Sequence, residues 1–125
     1  MAGKIIADQI EHSTAGSLDT SYVVQGSAKA WVNFTSNTTT SIRDSLNTAS
    51  LTDISTARTI VTFSNAMANA SYSCPTACSN GDASGTANSL DPHTFLTGST
   101  NFNSFANTGL ADRDFNVVSF LGELA

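Results

Sequence analysis

Two cysteines, two histidines and ten carboxylates are the side chains of this 125-residue chain that could carry redox, metal or acid–base chemistry. Their spacing supports none of it. Cys74 and Cys78 flank Pro75-Thr76-Ala77, so the spacing is not CxxC. A bridge there would close a loop too small to stabilise much through chain entropy. A zinc site would need more ligands, and only His12 and His93 exist. Both cysteines therefore read as thiols in a loop.

Acid–base catalysis needs two carboxylates held in opposed environments. Asp44, Asp53 and Asp91 read instead as turn or cap residues, because Asp bonds local backbone amides. Asp112-Arg113-Asp114 reads as a solvated turn ahead of a strand, and Asp82 stands in the Gly-rich loop at 79–85. No GxSxG elbow, HExxH, P-loop or dinucleotide fingerprint is present. Neither an enzyme nor a cofactor is expected.

The elements that would position such residues are strands. In Ala28-Lys-Ala-Trp-Val-Asn-Phe34, Ala28, Ala30, Val32 and Phe34 fall on one side, and Lys29, Trp31 and Asn33 on the other. A polar turn over 35–40 follows. Further strands are predicted at 41–46, 50–54, 58–63, 69–74, 100–106 and 115–121, with turns at 79–85 and 107–109. Strand 58–63 carries apolar groups on both faces, as an interior strand does. Short strands between Ser/Asn/Gly/Asp turns predict an all-β, antiparallel, jelly-roll-like sandwich over 27–125. Residues 1–26 read as an extended anchoring arm, with Ile5, Ile6 and Ile10 as its apolar contacts and 11–20 as a linker. Trp31, Phe34 and Phe63 are assigned to the core or to a subunit interface.

Ser, Thr and Asn make up more than a third of the chain, while charged residues are 12%. Such a surface suits turns and sheets better than helices, since these three residues compete for helical hydrogen bonds. A net charge of −5 with five basic residues argues against nucleic-acid binding. No apolar run approaches the roughly 20 residues of a bilayer span, and the N-terminus lacks the pattern of a signal peptide. No membrane role is expected.

The run "AKAWVNF…IRDSLN" followed by "TIVTFSNAMANASYS" resembles the C-terminal β-domain of tail-fibre-like structural proteins of tailed phages, particularly phages of aquatic bacteria. The opening ten residues resemble the short leader of these proteins, and Asn116-Val-Val-Ser-Phe-Leu-Gly122 their final strand. Between Pro75 and Thr108 the likeness fades. The resemblance implies a homotrimeric, non-enzymatic virion surface protein, assembled in the bacterial cytoplasm. A chain of this length holds no fibre shaft, so the expected role is a capsid decoration or cement protein gripping the major capsid protein or another virion protein. The alternative is a small tail-fibre protein recognising host surface glycans. A carbohydrate-active enzyme or lectin-like domain is a third reading, which the shortage of paired carboxylates disfavours.

Overall fold

Antiparallel strands dominate the computed structural model, which describes residues 3, 6–81, 87–107 and 109–125, with His12 described by its backbone alone. Ile5 and Asp82 lie outside the described residues. β1 (Gln9–His12) and β2 (Gly16–Asp19) form a separate hairpin that leads into α1 (Thr20–Gly26). Then come β3 (Ala28–Thr35), β4 (Ser41–Leu46), β5 (Thr48–Ser55), β6 (Arg58–Phe63) and β7 (Thr76–Ser79). β8 (Asn88–Phe95), β9 (Ser99–Ala106), β10 (Gly109–Leu110) and β11 (Phe115–Leu121) complete the chain. One sheet has the order β4-β3-β11-β7. The other runs β5-β6-β9-β8, with β10 paired to the end of β9.

The two sheets face each other as a sandwich, because every second residue of the inner strands is apolar and turns inward. Ala30, Val32 and Phe34 of β3 and Val118 and Phe120 of β11 pack against Val61 and Phe63 of β6, Leu90 of β8 and Phe102 of β9. Phe120 is fully buried, and its ring lies edge-on to Phe63 at 4.7 Å and to Phe102 at 6.1 Å. Tyr72 closes the cluster at 5.9 Å from both Phe63 and Phe120. Its hydroxyl lies 2.9 Å from the Leu96 carbonyl, 3.1 Å from that of Ser99 and 2.6 Å from Thr100 Oγ1. The polar end of this aromatic residue is thereby satisfied inside the core.

β6 lies between β5 and β9, an interior position. Strand β5 is longer than the 50–54 read from sequence. Residues 69–74 are not a strand. Ser73 alone bridges Leu121, its N–H on the Leu121 carbonyl at 2.8 Å, while the residues just before the segment are tied by the Met67 N–H to Thr97 (2.8 Å) and the Ala68 N–H to Glu123 (2.8 Å). Gly122 permits that closeness, since a Cβ there would meet Tyr72 Cβ at 2.9 Å.

Residues 11–20 are no linker, because cross-strand pairing organises them into the hairpin and the start of α1. Asp44, Asp53 and Asp91 sit within β4, β5 and β8 rather than in turns. Edge placement explains this: β4, β5 and β8 each pair along one side only, so a short polar side chain can stay in solvent. The same freedom admits Pro92 to β8, where its missing N–H breaks no ladder bond.

Asp112-Arg113-Asp114 is not a solvated turn either, for Arg113 is buried. Its carbonyl accepts from the Ser36 N–H (2.9 Å) and Asn116 Nδ2 (3.1 Å), while its N–H donates to Ser36 Oγ (2.9 Å). Asp112 Oδ1 accepts the N–H of Ala57 at 2.6 Å, and Ala57 holds a left-handed φ of 64° in the β5–β6 turn. This segment therefore pins the β5–β6 turn and the exit of β3.

Phe120→Ala is expected to lower the unfolding free energy by about 3–5 kcal/mol, the usual range for a large core truncation. Trp31→Ala, on the outer face of its sheet, is expected to cost the isolated chain about half of that or less. Urea denaturation of both variants at a concentration where the chain is monomeric checks the order. Equal losses would move Trp31 into the core.

Candidate interaction surfaces

The arm owes its shape to local signals. Asp19 caps α1, its Oδ1 accepting the Ser21 N–H at 2.8 Å, and that bond holds the carboxyl below its usual range. The Thr20 N–H reaches the Asp8 carbonyl (2.9 Å), and Thr20 Oγ1 donates to the carbonyls of Ala7 (2.9 Å) and Asp8 (3.0 Å). Hairpin and helix are thus tied to each other. To the sandwich the arm is held lightly, by a bond from Gln25 Nε2 to Glu123 Oε1 (3.0 Å).

No described side chain of 6–26 is buried. Ile6 is 81% exposed, Ile10 54% and Tyr22 70%, and Leu18, Val23 and Val24 are exposed as well. Ile10 and Leu18 are direct partners across the hairpin, so their side chains share one of its faces. Exposed apolar side chains on one segment make it a candidate contact surface.

The second surface is the outer face of the β4-β3-β11-β7 sheet. Register places Leu46, Trp31 and Ser119 in one cross-strand row, and Asp44, Asn33, Val117 and Ala77 in the next. Phe115 and Ser79 follow along the same face. Leu46, Val117 and Phe115 are exposed, and Trp31 is half-buried. The Arg43 guanidinium stacks 3.9 Å above the Phe115 ring, which extends the apolar strip with a cation.

The candidate residues from sequence divide between these places. Phe34 and Phe63 point inward to the core, and Trp31 points outward. Ile6 and Ile10 lie on the exposed arm. Sequence reading missed Leu18, the cross-strand partner of Ile10, and Tyr22, Val23 and Val24, exposed on α1. The Asp19-Thr20-Ser21 run, an N-cap followed by a short apolar stretch, was the available signal. It also missed the Arg43–Phe115 stack, which depends on a register shift in β4 that no local pattern displays.

Among the described residues no three His, Cys, Asp or Glu side chains gather as metal ligands. A shallow depression of about 150 Å³ is lined by Ala87, Asn88, Ser89, Phe105 and Asn107, none of them titratable. Cys74 and Cys78 are free thiols. Burial pushes the Cys74 thiol up to about 12. Burial also raises Cys78, with Arg113 opposing and Asp91 reinforcing the shift. Neither is a ready nucleophile at neutral pH. No helix among the described residues is long and apolar enough to cross a membrane. Compared with family models, curated proteins and solved structures, the chain matches none.

The thiols set a pH response with a definite sign. In the unfolded chain Cys74 ionises near its ordinary value of 9.0, whereas in the folded chain it holds its proton to about 12. The unfolded state therefore sheds protons first, and stability present below pH 9.0 is lost progressively as pH rises toward 12. Cys78 and Tyr72, both raised chiefly by burial, act in the same direction. Urea midpoints are expected to fall across this range, and Cys74→Ala to fall less steeply. A pH-independent midpoint would contradict the burial of Cys74.

Proposed function

We propose that this chain is a non-enzymatic structural module of a tailed-phage particle, assembling as a homotrimer and decorating the capsid. The observation that carries the reading is the arm. Ile6, Ile10, Leu18, Tyr22, Val23 and Val24 are exposed on an element that has no core of its own and touches its own sandwich lightly. Burying each such side chain against another molecule would be worth roughly 1.5–3 kcal/mol. The resemblance of the β3–β6 sequence to phage structural proteins supplies the setting. A sandwich without clustered catalytic groups among its described residues accords with it.

In this reading the leading residues, with Ile5, Ile6 and Ile10, grip the major capsid protein or another virion protein. Three arms engaging together convert modest contacts into lasting attachment through effective concentration. A second reading, a small tail fibre binding host glycans, draws on Trp31, which faces outward from its sheet where a sugar ring could stack.

Deleting residues 1–10 is expected to leave the sandwich melting as before and to abolish attachment to particles, measured by co-sedimentation. Retained attachment would remove the arm from the interface. Light scattering at micromolar concentration is expected to report a trimer for the intact chain.

Particles depleted of the protein decide between the two readings. Loss of heat or osmotic resistance with normal adsorption to cells is expected for decoration. Intact heads that no longer adsorb would instead establish the fibre reading.

A further inference from the structure

We infer that the end of the sandwich where Arg113 lies binds a small anion, of halide or carboxylate size, on the buried guanidinium. Arg113 is 5% exposed, and its side chain reaches from the segment before β11 to β9, where Nε donates to the Phe105 carbonyl at 3.3 Å. Nη2 is buried and has no protein partner. The carboxylates beside it in sequence are turned elsewhere. Asp112 Oδ1 accepts from the Ala57 N–H (2.6 Å), and Asp114 Oδ1 accepts from Asn37 Nδ2 (2.8 Å). Asp91, exposed on β8, is a third negative charge nearby, since both it and Arg113 act on the Cys78 thiol. Among the described residues no carboxylate is bonded to Arg113.

A carboxylate or a histidine in such a place can shed its charge by gaining or losing a proton, but a guanidinium keeps its proton in proteins. A buried cation then calls for a compensating negative charge, because taking an unpaired ion out of water costs more than one hydrogen bond to a carbonyl returns. The Phe105 carbonyl supplies only a partial charge.

The surroundings set the class of ligand. Asn116 and Cys78 are direct partners between β11 and β7, so their side chains share the inner face of that sheet. Asn116 is fully buried, its Nδ2 donating to the Arg113 carbonyl (3.1 Å) and to Ser36 Oγ (3.3 Å), and Cys78 packs against the core cluster. Asn116 Oδ1, likewise without a protein partner, is an acceptor and takes no part in holding an anion. So closed a place suits an ion of few atoms rather than a peptide, a nucleotide or a sugar.

The full chain is melted in rising sodium chloride or sodium acetate, with sodium gluconate holding the ionic strength constant. Above the dissociation constant, each tenfold rise in either anion is expected to lift the melting temperature by roughly 4–7 °C, the slope of one site per chain. Arg113→Met is expected to lose that slope, and Asp82→Asn to keep it. Where Arg113→Met does not fold, Cys78 reports instead. In a Cys74→Ala chain its alkylation by iodoacetamide at fixed pH is expected to slow about twofold or more as either anion saturates, because the bound charge offsets the field of Arg113 at the thiol. A flat melting response to both anions, or alkylation that neither anion changes, would overturn the site. So would an unchanged slope in Arg113→Met, the mark of an adventitious ion only, or a slope that arises only in Asp82→Asn, which would make that carboxylate the counter-ion.

Discussion

Phe120 is the residue through which the two sheets are held at a fixed spacing. It comes from β11 and lies edge-on to Phe63 of β6 and Phe102 of β9. Because β11 is paired on both sides, to β3 and to β7, one ring fixes the depth of a whole sheet. The edge-to-face geometry adds to area burial and sets orientation as well as distance. Tyr72 then becomes necessary to close the end of that cluster. Gly122 becomes necessary in turn, because a methyl group there would press on Tyr72 Cβ and Met67 Cε.

At the other end the sandwich is closed by polar groups. Arg113, Asn116 and Ser36 exchange hydrogen bonds beside β3 and β11, and Asp112 secures the left-handed Ala57. Such a network determines which turns meet, since a buried polar group left unsatisfied costs more than the bond gains. Arg113 Nη2 and Asn116 Oδ1 lack a protein partner among the described residues, and both are buried. The charge and polarity concentrated here serve the fold.

This distribution bears on function. Groups that could carry reactions are either exposed singly or, like the two thiols, raised in pKa by burial. What the chain presents outward is an arm with no buried side chain among its described residues and a sheet face with an aromatic and aliphatic strip.

Sequence alone located β3 through its strict alternation, and β4, β6, β9 and β11 through short runs bounded by turn residues. It also determined the all-β class, through the abundance of Ser, Thr and Asn. Tertiary structure decided the rest. β7 and β8 are strands only because neighbours supply ladder partners to segments of weak propensity. Residues 69–74, alternating in sequence, were denied a strand by their place across the end of the sandwich, where Met67 and Tyr72 are drawn inward. Trp31 and Phe34 are three residues apart on one strand, and which of the two faces the core was settled by the opposing sheet. Arg113 reads as a surface charge until Ser36 and Asn116, distant in sequence or turned inward by β11, close around it. Local pattern fixes which side chains share a face, but only packing decides which face is buried.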